Sequence, residues 1–124
     1  MNRELIHNAL RQRLSEVETL LNEPVGDAIT VSDSDDSEEK LRVVMVRLFP
    51  KVQQGKASAD DAASYCEQLE QLMKAALTED WRFLDAWNNA FEVIHAQQRL
   101  FTTEQKSNVY RQYGFLLKSH LKNA

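Results

Sequence analysis

Apolar residues recur along this chain at intervals of three and four, in five separate stretches. Leu5, Ile6, Ala9, Leu10, Leu14, Val17, Leu20 and Leu21 form the first stripe, which predicts an amphipathic helix from about Asn2 to Leu21. Pro24 and Gly26 supply its stop. In the second stretch Leu41, Val44, Met45, Leu48 and Val52 keep helical spacing. A helix is expected to begin near Ser37, where Asp36 and Glu39 have the spacing of a capping box. Pro50 is expected to end or kink that helix, with Gly55 marking the next connection. The valines of LRVVMVRLF also suit a strand, so the alternative is an α+β arrangement with a small hairpin over 28–48, pairing Ala28–Val31 with Leu41–Leu48.

A third helix is expected after Ser58, with Asp60 and Asp61 in its first turn and a stripe of Ala62, Tyr65, Cys66, Leu69, Leu72, Met73, Ala76 and Leu77. Thr78 has the chemistry of an N-cap for a fourth. On that helix Trp81, Leu84, Trp87, Phe91 and Ile94 are expected to line the core, and Phe83 to point away from it toward a partner. Thr102 and Gln105 repeat the capping-box spacing before a fifth helix, whose stripe is Val109, Tyr113, Leu116, Leu117 and Leu121. The fold class is therefore all-α, a single-domain bundle of about five amphipathic helices over 1–124. Between the first two helices, residues 23–37 form an acidic loop expected to be mobile, because VSDSDDSEE has too little apolar surface to order itself.

Composition narrows the chemistry. With 43% apolar and 27% charged residues in 124, the chain has the makings of a core and a well-solvated surface. No apolar run is long enough to span a bilayer or to serve as a secretory signal. The single cysteine, Cys66, can form no internal disulfide. The expected location is cytoplasmic, with no membrane partner. Cys66 falls on an apolar stripe, where a structural role is expected. His7, His95 and His120 lie on different helices without His or Cys neighbours at ligand spacing. One E-x-x-H, Glu92 to His95, stands without a matching copy of the kind di-metal bundles use. G-x-S-x-G is missing and the three glycines are isolated, so neither a nucleophile elbow nor a phosphate loop is present. The expectation is a non-enzymatic protein without metal or cofactor.

Charge is unevenly distributed. Nine acidic residues and no Lys or Arg lie between Ser15 and Glu39, while Arg99 to the C-terminus holds five basic residues against Glu104 alone. Such polarity can steer a charged partner. Ile29-Thr30-Val31 followed by SDSDDSEE resembles a SUMO-interacting motif, a resemblance that implies strand addition to a partner with a basic rim. Ser32, Ser34 and Ser37 stand in an acidic context suited to phosphorylation. The function expected is protein–protein binding, of the adaptor, inhibitor, chaperone or co-regulator type. The partner is another protein, and self-association as a homodimer is a further expectation. The residues assigned to contact are Asp33, Asp35, Asp36, Glu38 and Glu39 in the acidic segment, Phe83 on the fourth helix, and Arg111, Lys118 and Lys122 on the fifth. The alternative is a nucleic-acid-associated regulator, in which the basic fifth helix meets phosphates and its tyrosines stack on bases.

Overall fold

The structure, a computed structural model, describes residues 3–26, 29–31, 35–78 and 80–122. Among them the chain is all-α, without a strand. In order it forms α1 (Arg3–Leu21), α2 (Ser37–Arg42), a π-helical segment (Val43–Leu48), α3 (Phe49–Gln53), α4 (Ala59–Gln71), α5 (Met73–Ala76), α6 (Trp81–Ala96), a 3₁₀ turn (Gln98–Leu100) and α7 (Thr103–Lys122). The hairpin alternative over 28–48 is overturned, because residues 37–53 run as one helical rod. Val44, Leu48 and Val52 recur every four residues, and all three are buried. That period buries one side of a helix, whereas in a strand it would bury only alternate positions of one face.

Pro50 neither ends nor breaks this rod. Just before it the helix widens, and the Phe49 N–H donates to the Val44 carbonyl five residues back. Pro50 then sits in the first turn of α3, where its fixed φ suits the helix although its missing N–H omits one bond of the rod's ladder. The wide turn gives the proline ring the room that an α-helical ladder denies it. The rod ends at Gly55, whose positive φ of 72° lets the Gly55 and Lys56 amides bond back to Val52 (3.0 Å) and Lys51 (2.9 Å).

Helix ends elsewhere follow side-chain chemistry. Ser58 and Asp61 form a reciprocal capping box at α4 (3.1 and 3.2 Å), and Thr102 and Gln105 form the expected one at α7 (3.0 and 2.9 Å). The box expected of Asp36 and Glu39 does not form: Asp36 makes no side-chain cap bond, and Glu39 turns to Arg42 instead (Nε–Oε2 3.2 Å). Thr78 does not cap α6 either. Its hydroxyl donates to the Ala75 carbonyl (2.6 Å), closing α5. The α6 cap is Asp80, which accepts from the Arg82 N–H at 3.1 Å. Asn22, in the left-handed region at φ 58°, ends α1 two residues before the expected Pro24 stop, with the Glu23 amide bonding back to Glu18 (3.3 Å).

The core is centred on α6, where half of sixteen residues are buried, Trp87 completely. α7 supplies Val109, Tyr110, Tyr113, Leu116 and Leu117. α1 is the least embedded of the long helices. Only Val17 of its expected stripe is buried, while Leu5 and Leu20 remain 67% and 41% exposed. The reason is geometric: α1 packs chiefly on α7, so one neighbour covers a narrow strip rather than the whole apolar face.

Gly114 sets how closely that pair approaches. A Cβ there would stand 2.5 Å from Val25 Cγ2 and 3.3 Å from Val17 Cγ1. The segment after α1 is drawn into the same place by three polar ties: the Lys118 ammonium on the Val25 carbonyl (3.0 Å), the Val25 N–H on Glu18 (2.8 Å), and Arg111 on Glu23 (3.4 Å). Farther along, Ile29 and Val31 pack half-buried against the core. Asp33 and the mobility expected around it lie outside the described residues. Gly114→Ala is expected to destabilise the fold by about 1–3 kcal/mol through overpacking. Val25→Ala in the same chain should restore part of the loss. Urea unfolding of both variants measures this, and an unchanged midpoint in Gly114→Ala would refute the close approach.

Candidate partner-binding groove

Helical spacing raises two ridges that face each other across the surface. On the rod, Glu38, Leu41, Arg42 and Met45 succeed one another at three and four residues. On α6, Arg82, Asp85 and Asn89 do the same. Val44 and Leu48 turn inward, so Leu41 and Met45 are left half-buried at the edge of the core. Between the ridges lies an open groove of about 670 Å³ with Leu41 and Met45 on its floor. Val46, one turn beyond Arg42 and outside the groove's lining, is 65% exposed.

The rim is charged, and part of that charge is satisfied internally. Arg82 bridges Asp80 (Nη2–Oδ2 2.7 Å) and Glu38 (Nη1–Oε2 3.1 Å), so one guanidinium ties the start of α6 to the start of α2. The hydrogen bonds from Asp80 and then Glu38 raise the Arg82 pKa further, and the same guanidinium holds the Asp80 carboxyl below its ordinary value. Arg42 does likewise for Glu39. Asp85 is exposed and makes no ion pair among the described residues. Asp35 and Asp36 stand exposed in the turn that opens α2.

The groove gathers some of the residues expected to meet a partner and excludes others. Glu38 and Glu39 line it, with Asp35 and Asp36 beside them in the chain. Phe83 is corrected: it is buried, not outward. Four residues before Trp87, it lies about 40° round the helix from it, on the same face. Trp81 takes the opposite fate. Six residues before Trp87 it lies about 120° away. It is 55% exposed and stacks on His120 with ring centroids 6.1 Å apart. His120 Nε2–H donates to the Ala76 carbonyl at 2.8 Å.

The basic residues of α7 do not form one open surface. Arg111 pairs with Glu23 and Lys118 holds the Val25 carbonyl, while Lys122 is exposed in the last turn. Two of the cations proposed for phosphates are thus engaged with the segment after α1. The sequence did not single out Asp85, and it placed Leu41 and Met45 on the core stripe. At 100° per residue Leu41 falls between Leu48 and Val52, and it is the π-helical turn that carries Leu41 and Met45 to the edge.

Other candidate chemistry resolves locally. Glu92 pairs with Arg13 at 2.8 Å, and His95 lies flat on Phe91 with 7° between their rings. No three His, Cys, Asp or Glu among the described residues come together to hold a metal ion. No helix among them is long and apolar enough to cross a membrane. Cys66 sits half-buried at a polar cleft between α4 and α7. Burial, and next the nearby Glu67 charge, push its thiol up to about 12. No protein family, curated protein or solved structure matches this chain. A thiol raised so far is mostly protonated at pH 8, so Cys66 is expected to react with iodoacetamide at least about tenfold more slowly than an unfolded-state cysteine. Labelling in native buffer and in urea compares the two; equal rates would show an accessible, unshifted thiol.

Proposed function

We propose that this chain is a non-enzymatic module of the cytoplasm that works by binding another protein, in the manner of an adaptor, inhibitor, chaperone or co-regulator. The observation that carries the reading is the groove between the rod and α6. Leu41 and Met45 are left half-covered there, and the Arg82–Glu38 ion pair braces the two walls. Burying such a side chain from a fully exposed state is worth about 1.5–3 kcal/mol; Leu41 and Met45, already half-covered, have part of that left to gain, so a complementary surface would find apolar contact without remodelling the core. The rim then supplies orientation through charge.

The test is affinity capture of a protein with the tagged chain, identification of that protein, and calorimetry with the purified pair. Leu41→Gln and Met45→Gln are expected to weaken binding about tenfold or more, with helicity unchanged by circular dichroism. Leu5→Gln, at an exposed apolar position on α1, should bind as the unaltered chain does. Undiminished binding in both groove variants would overturn the reading.

A further inference from the structure

The charges around the groove specify what kind of segment can lie in it. Arg82 and Arg42 are each engaged with carboxylates of their own neighbourhood. Asp85 has no such counter-charge among the described residues, and Asp35 and Asp36 are exposed at the opening of α2. The apolar floor is therefore bordered on the α6 side by a carboxylate without internal countercharge, and two more stand exposed in the turn that opens α2. Phosphate backbones and anionic membranes are repelled by such a rim. The described residues contain no sheet edge for an extended peptide to join. Two helical ridges with a furrow between them instead match the geometry by which a third helix packs.

Resting on the protein-binding reading above, we infer that the groove receives an amphipathic helix of basic character from another protein. Its apolar face lies on Leu41 and Met45, and its flanking Lys or Arg meet Asp85 on one side and the Asp35–Asp36 turn on the other. The apolar contact supplies affinity and the carboxylates select sign and register.

The experiment titrates the full chain, with its methyl groups labelled for NMR, with a designed amphipathic peptide of about eighteen Leu and Lys residues, long enough for a helix in a groove. A twin with Glu in place of Lys is run beside it. The expected result is saturable shifts at the Leu41 and Met45 methyls with the Lys peptide and none with the Glu twin. Asp85→Lys should weaken the Lys peptide about fivefold or more, as loss of an interfacial charge pair does. Glu104→Lys makes the same change in net charge on exposed α7 and should leave affinity unaltered. Four outcomes overturn the inference: shifts scattered over the acidic surface, equal weakening by Glu104→Lys, equal binding of the Glu twin, or no binding of the Lys peptide. A fifth is sedimentation showing that the chain associates with itself through the groove, which assigns the site to a second copy. Should the inference fail while the groove variants still lose their captured partner, protein binding stands and only the partner's character is wrong.

Discussion

Covering α6 is the constraint on which the remaining structure depends. A helix that buries half of its residues, with Trp87, Ala86, Ala90 and Ile94 fully removed from water, must be enclosed on several sides. α7 meets it with Tyr113 stacked on Phe91 and Tyr110 edge-on to it, at centroid distances of 5.1 and 5.5 Å. α5 and α3 pack against it elsewhere. The flank of Arg82, Asp85 and Asn89 carries polar side chains and is left facing the groove. The candidate site is thus what remains after the core has been satisfied.

The rod's local geometry decides how that remainder is shaped. Pro50 lacks the N–H that would continue an α-helical ladder, and the chain answers with an i→i−5 bond from Phe49 to Val44. The wider turn keeps Val44, Leu48 and Val52 buried while carrying Leu41 and Met45 to the rim of the core. Arg82 then links the two walls through Asp80 and Glu38. These pairs are exposed, so they contribute orientation more than stability.

Much of the fold was legible because helical periodicity and capping chemistry are local. The α4 and α7 starts follow directly from Ser58–Asp61 and Thr102–Gln105. Less was legible where two local signals compete. Asp36–Glu39 has the spacing of a capping box, but Arg42 lies three residues beyond Glu39 and attracts it more strongly than a backbone amide does. Thr78 and Asp80 both suit an N-cap; the Thr78 hydroxyl donates to the Ala75 carbonyl and accepts from the Asp80 N–H, one step ahead of the helix, and Asp80 takes the cap. At the site, the acidic residues were visible in the sequence but their internal partners were not. Arg82 and Glu38 are 44 residues apart, and Lys118 and Val25 are 93 apart. Only folding brings such pairs together. Phe83 and Trp81 were interchangeable by residue type and separable only by their angle from Trp87.

We propose the groove between the rod and α6 as the working surface of this chain. Hydrogen–deuterium exchange of the chain alone and bound to its captured protein tests it most directly. Slowed uptake is expected over 38–46 and 82–89, with residues 3–12 of α1 unchanged. Protection confined to α1 and α7, with 38–46 exchanging as in the free chain, would contradict it.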